Sequence, residues 1–141
     1  MSKITFIVWK DEFSVGSQTL DAQHTLILNM INKLYNEMQL NSHPKHLNKK
    51  IRELYLYVAT HFSMEERIMQ EYGFPGLQSH IEEHRTYAQK TDDFMRQIQS
   101  TYGDISFDFF KFLKNWWTNH ILHMDKQYAP YITSKDGANY S

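Results

Sequence analysis

Apolar residues recur at every third or fourth position along four long stretches of the chain, the spacing of a helix that buries one face. The first stretch runs from about Thr19 to Leu40, with Leu20, Ile27, Leu28, Ile31, Leu34, Tyr35 and Met38 on its stripe. Asn41-Ser42-His43-Pro44 predicts a stop and a restart, since Ser42 suits an N-cap and Pro44 a first turn. The second stretch carries Leu47, Ile51, Leu54, Tyr55, Val58, Phe62, Ile68 and Met69, and runs to about Tyr72. Gly73-Phe74-Pro75-Gly76 ends it, and Pro75 is suited to open the third. That stretch carries Leu77, Ile81, Tyr87, Ala88, Phe94, Met95 and Ile98 before Thr101-Tyr102-Gly103 breaks it. Ser106 is placed to cap the fourth, whose stripe is Phe107, Phe110, Leu113, Trp117, Ile121 and Met124.

Four helices of about 20 to 27 residues are each about 30 to 40 Å long. Short connections make neighbours antiparallel, so the expected fold is all-α, an up-down-up-down four-helix bundle. Residues 1–18 read as an extended N-terminal arm, with Gly16 and Ser17 loosening its end. The bundle is expected over 19–128, and a polar, frayed tail over 129–141, all within one domain.

Composition narrows the chemistry. At 141 residues and 41% hydrophobic, the chain has enough apolar surface for one packed core. Its net charge is −1 with mixed signs along the sequence, so no basic stripe predicts nucleic-acid binding. Cysteine is absent, which excludes disulfides, thiolate ligands and iron–sulfur clusters and accords with a reducing compartment. The apolar run from Ile4 to Trp9 is too short for a signal core, and no stretch approaches a membrane span, so a cytoplasmic protein is expected.

Eight histidines remain to be explained. His24 falls near the start of the first helix. His61 and Glu65, four apart, lie near the end of the second. His80 and His84, also four apart, lie near the start of the third, and His120 and Asp125 near the end of the fourth. In an up-down-up-down bundle these four places share one end. Residues four apart lie on one helix face, and these faces are otherwise apolar. Any one of these residues has a bland reading as a satisfied core histidine. Burying five imidazoles and two carboxylates at one level without a partner would be far too costly, and metal is the natural partner. One tetrahedral zinc takes too few ligands. Two octahedral metals offer about twelve positions. Five imidazoles, two bridging carboxylates and one shared oxygen leave one of these open, where a small ligand such as O2 would bind. Imidazole-rich ligation suits iron, copper or zinc, so the ligands alone leave the metal open. Asp125 fits less simply. It follows His120 by five residues, about 140° around an ideal helix. His43 and His46 fall in or beside the first connection, and His123 points away from the shared face.

The segments Asp21-x-Gln23-His24, His61-Phe62-x-x-Glu65-Glu66, His80-x-x-x-His84 and Trp116-x-x-x-His120-Ile121-x-x-x-Asp125 resemble the signature of the hemerythrin family, including its bacterial single-domain members. The resemblance spans about Phe13 to Tyr128. It implies two non-haem irons with an oxo or hydroxo bridge. His80, His84 and His120 would hold one iron, and His24 and His61 the other, which keeps the open position. Glu65 and Asp125 would bridge the pair, and the five-residue spacing to Asp125 matches the family's own. Glu66 would be solvated. Trp117 stands where the family often has an aliphatic residue; it would either face the site and narrow the route to the open iron or serve as plain core packing.

The resemblance also implies reversible O2 binding for storage, transport or delivery, by a binding protein rather than an enzyme. An oxygen-consuming protein is the expected recipient. Alternatives are a redox sensor read by a partner protein, or an enzyme reducing peroxide or nitric oxide at the same irons. Iron storage is poorly supported, because so small a bundle has no cavity of its own for mineral.

Overall fold

A computed structural model describes residues 6–40, 44–100 and 107–136, without the side chains of 44–46, 99–100 and 133–136. The sequence-predicted caps at Ser42 and Ser106, the break at 101–103, His43 and the side chain of His46 lie outside the described residues. Helix α1 spans Gln18–Gln39, α2 Pro44–Glu71 and α3 Leu77–Ser100. The fourth rod is composite: α4 at Phe107–Asn119, a π-helical segment at His120–Asp125, and α5 at Lys126–Asp136. These make an all-helical four-helix bundle, as the periodicity predicts, with no strand among the described residues. None of the described helices is long and apolar enough to cross a membrane.

The ends of α1 and α2 rest on local chemistry. Gly16 takes a left-handed φ of 81°, and Ser17 then caps α1 by accepting the Leu20 amide at 3.2 Å. Ser17 is fully buried, so this junction is anchored, not loosened as the composition suggested. Gly73, with φ 69°, closes α2 in a Schellman turn. The Phe74 amide bonds the Met69 carbonyl at 2.9 Å and the Gly73 amide bonds that of Gln70 at 3.2 Å. Phe74 and Met69 then bury together.

The arm is tied to the bundle. The Asn32 side chain bonds the Ile7 amide and carbonyl at 2.8 and 2.7 Å. Asp21 accepts the Ser14 hydroxyl at 2.5 Å and the Val15 amide at 2.9 Å. A short 3-10 turn at Asp11–Phe13 drops Phe13 into the core. Beyond Pro130, where a polar tail was expected, α5 continues to Asp136 and buries Ile132 completely. Burial of that side chain offsets the cost of a proline inside a helix.

Among the described residues, the buried apolar side chains form two clusters. The larger holds Ile27, Ile31, Val58, Phe62, Leu113, Trp117 and Ile121 among others. The smaller, toward the start of α1, joins Val15, Leu20, Ile68, Met69, Phe74, Tyr128 and Ile132. Along α1, His24 falls between Leu20 of the second cluster and Ile27 of the first. His61 and Glu65 fall between Val58 and Ile68, and Asp125 between Ile121 and Tyr128. A polar layer is thus sandwiched between two dry ones.

Candidate metal centre

All seven singled-out residues converge in that layer. His24, Glu65, His80 and Asp125 have no exposure, and His61, His84 and His120 at most 3%. Glu65, His80, His84, His120 and Asp125 bring one ligand atom each within 4.8 Å of one another, and so do His24, His61 and Glu65.

The carboxylate oxygens divide between these sets. Glu65 Oε1 lies 3.2 Å from His80 Nε2 and 3.0 Å from His84 Nε2. Asp125 Oδ1 lies 2.9 Å from His80 Nε2 and 3.0 Å from His120 Nε2. The other oxygens face the opposite way. Glu65 Oε2 is 3.3 Å from His24 Nε2 and 3.4 Å from His61 Nε2, and Asp125 Oδ2 is 3.1 Å from His24 Nε2. Metal bonds of about 2.1 Å put two donors at right angles on one ion about 3 Å apart. The observed spacings fit that arrangement.

The hydrogen-bond inventory fits it too. His61 Nε2, His80 Nε2, Glu65 Oε1 and both Asp125 oxygens are buried without a hydrogen-bond partner. Such groups are costly to leave unsatisfied, and they are the atoms that face inward. Several outward nitrogens are fixed. His61 Nδ1 donates to Gln23 Oε1 at 2.6 Å, and the Gln23 amide nitrogen contacts Met64 Sδ. His84 Nδ1 donates to Glu66 Oε2 at 2.7 Å. Glu66 is therefore not the solvated residue expected of it. Its carboxylate, 29% exposed, orients a histidine. Fixing Nδ1 as the donor leaves the Nε2 lone pair to face inward.

Three further residues, to which the sequence reading gave no role there, touch the layer. Tyr128 donates its hydroxyl to Glu65 Oε2 at 2.7 Å from full burial. Phe62 stacks on His84 with centroids 3.7 Å apart, and Trp116 stacks on His120 at 4.2 Å. The four-residue spacing of Trp116 and His120 was the available signal. Trp117 is fully buried, with ring centroids 6.3 Å from His61 and 5.8 Å from Phe62. Its indole N–H donates to the Tyr87 hydroxyl at 3.1 Å.

The five-residue step to Asp125 has a structural cause. His120–Asp125 is π-helical, and its i→i+5 bonding brings residues five apart onto one face.

Without metal, protons take the place of cations. Burial disfavours charge on His24, but the Asp125 and Glu65 carboxylates outweigh it and raise this histidine to about 10. His80 likewise overcomes burial and rises to about 9 through Asp125 and Glu65. Burial lowers His61, against the pull of Glu65. Burial would raise both carboxyls, yet Glu65 is held well below its ordinary range by His61, His24 and His80, and Asp125 by His120 and His24.

The fold and this layer define a helical bundle built around a buried histidine-rich cluster with two carboxylates that could hold metal. A profile of the hemerythrin HHE cation binding domain matches residues 15–132, and the chain belongs to that family. It is 29% identical to a bacteriohemerythrin of Stenotrophomonas maltophilia, over 92% of this chain and 83% of the relative. It is 31% identical to one from Clostridium acetobutylicum, over 86% of this chain and 97% of the relative. Hemerythrin subunit 2 of Golfingia vulgaris matches at 26% identity over 86% of this chain and 89% of the relative. The crystal structure of a wild-type hemerythrin superposes with a TM-score of 0.83 at 28% identity, covering 91% of this chain and 98% of that one.

Proposed function

We propose that this protein binds O2 reversibly at a non-haem di-iron centre, for storage, transport or delivery. The observation that carries the reading is the division of the Glu65 and Asp125 oxygens between two sets of imidazoles. His80, His84 and His120 would hold one iron and His24 and His61 the other, with both carboxylates shared. The set with two imidazoles has the fewer protein donors, so an iron held there would keep the exchangeable position. When bound, the irons supply the two electrons that O2 takes up and returns. The chain's own residues position and protect. Gln23 and Glu66 hold the Nδ1 protons of His61 and His84 outward. Tyr128 holds Glu65 Oε2, and the two apolar clusters keep bulk water from the layer. The absence of cysteine accords with a reducing compartment such as the cytoplasm.

The test is to load metal-free protein anaerobically with ferrous iron and then admit air. The expected result is two irons per chain, one for each ligand group, and a visible absorption band that disappears on deoxygenation. A single metal at saturation, or retention of zinc in preference to iron, would overturn the assignment. Steady turnover of peroxide or nitric oxide with an electron donor, and no stable oxygenated form, would make the protein an enzyme instead.

A further inference from the structure

The two groups of imidazoles have unlike partners on their outer sides. In the group of three, His84 Nδ1 donates to the Glu66 carboxylate at 2.7 Å. Glu83 Oε1 lies 3.6 Å from His120 Nδ1, just beyond hydrogen-bond reach. In the group of two, the partner of His61 is the neutral amide of Gln23 at 2.6 Å, and His24 Nδ1 has no hydrogen-bond partner among the described residues. The Glu65 carboxylate is treated unequally as well. Tyr128 donates to Oε2, the oxygen that faces His24 and His61, whereas Oε1, which faces His80 and His84, has no such donor among the described residues.

A carboxylate on Nδ1 draws that proton outward and pushes electron density to Nε2, the atom that would bind metal. A hydroxyl donated to a carboxylate oxygen draws density away from it. Both effects favour the group of three. Glu66 is only 29% exposed, so water and salt screen its charge incompletely. The number of imidazoles favours the same group, but number alone would leave the charge of Glu66 without effect. We propose, building on the metal-centre reading, that this charge makes the two positions unequal. Acting through His84, Glu66 makes the His80, His84 and His120 group the tighter position, filled first, and the His24 and His61 group the looser. Glu83, more exposed and farther from its histidine, adds to the effect weakly.

Metal-free protein is titrated anaerobically with ferrous iron in a calorimeter, and metal analysis counts the ions held at saturation. The parent should show two binding events of unequal affinity. Glu66→Gln keeps an oxygen that can accept the His84 proton and removes the charge. It should weaken the first event about 10-fold and leave the second within about 2-fold. Glu66→Ala removes acceptor and charge together, and should weaken the first event by up to about 100-fold. Gln23→Glu places the charge on the other group, and should tighten the second event. Glu82→Gln alters an exposed carboxylate paired with Arg85; it is the charge control and should titrate as the parent. In iron-loaded protein the same charge favours ferric over ferrous iron, so Glu66→Gln should also raise a midpoint potential in a mediated redox titration. Two equal events in the parent, a Glu66→Gln titration that overlays the parent's, or an unshifted potential would overturn the proposal. Should Glu66→Gln fail to fold, Gln23→Glu decides, and a second event no tighter than the parent's would overturn it. A parent that saturates with one ion would sink the metal-centre reading instead.

Discussion

The imidazoles differ in what holds them. His61 and His84 are steered by side-chain acceptors, Gln23 and Glu66, whereas the Nδ1 atoms of His24 and His80 are buried without a hydrogen-bond partner. Gln23→Ala frees the His61 ring to turn, and should weaken metal binding about 10- to 100-fold with the fold intact, as read by competition with a chelator. An unchanged affinity would mean that packing alone orients His61. Trp117 offers a second test. Trp117→Leu removes a fully buried indole together with its bond to Tyr87, so stability should fall by about 2–3 kcal/mol in denaturant melts. Both irons should remain, because no candidate ligand is touched. Space beside His61 should admit water and speed autoxidation severalfold, followed by decay of the oxygenated spectrum. Identical decay at full iron content would reduce Trp117 to a packing residue.

At the scale of the element, the π segment is where the fourth rod departs from regular α-helix. Six residues from His120 to Asp125 leave the α-helical bonding pattern to turn Asp125 onto the His120 face. Such segments are rare and tend to occur at functional sites, where other interactions hold them in place. Metal bridging those two side chains would supply that hold. Amides of 120–125 should therefore exchange faster than those of α2 and α3 in the metal-free protein, and slow by at least about 10-fold on loading, as read by hydrogen–deuterium exchange. Equal protection in both states would show that the π geometry is set by packing around Trp117, Ile121 and Tyr128.

For the whole molecule, metal and protons compete for one buried layer. The folded-state values of His24 and His80, about 10 and about 9, lie above the ordinary 6.5. Their protons therefore favour the folded metal-free chain below 6.5, and that contribution fades as pH rises through both values. Glu65 and Asp125 are shifted down, so their ionised forms favour the fold above the ordinary carboxylate range, an advantage lost on acidification. Metal-free protein should be most stable between about pH 5 and 6.5, with Tm falling on either side. At pH 7.5, loading should release a proton from each of His24 and His80, seen as buffer-dependent heat in calorimetry. Stripping the metal should also lower Tm by about 10 °C or more, since tight binding to the folded state alone is worth about 4 kcal/mol. A Tm indifferent to metal would mean that the layer is satisfied by its own ion pairs.

Periodicity and spacing in the sequence carried the helices, their antiparallel order and six of the seven candidate ligands on the inner faces at one end of the bundle, while Asp125 came through the family resemblance. Those features follow from local repeats of three and four residues and from the lengths of the connections, which are written along the chain. The tertiary structure alone decided how the layer is tuned. Glu66 and Gln23 orient histidines across helix boundaries, and Tyr128 reaches Glu65 from a position 63 residues away. The unwinding that brings in Asp125, the burial of Ile132 beyond a proline and the anchoring of Ser17 likewise depend on what packs against them. A side chain's partner across a bundle is fixed by helix rotation and depth, and neither is encoded in the spacing of any single helix.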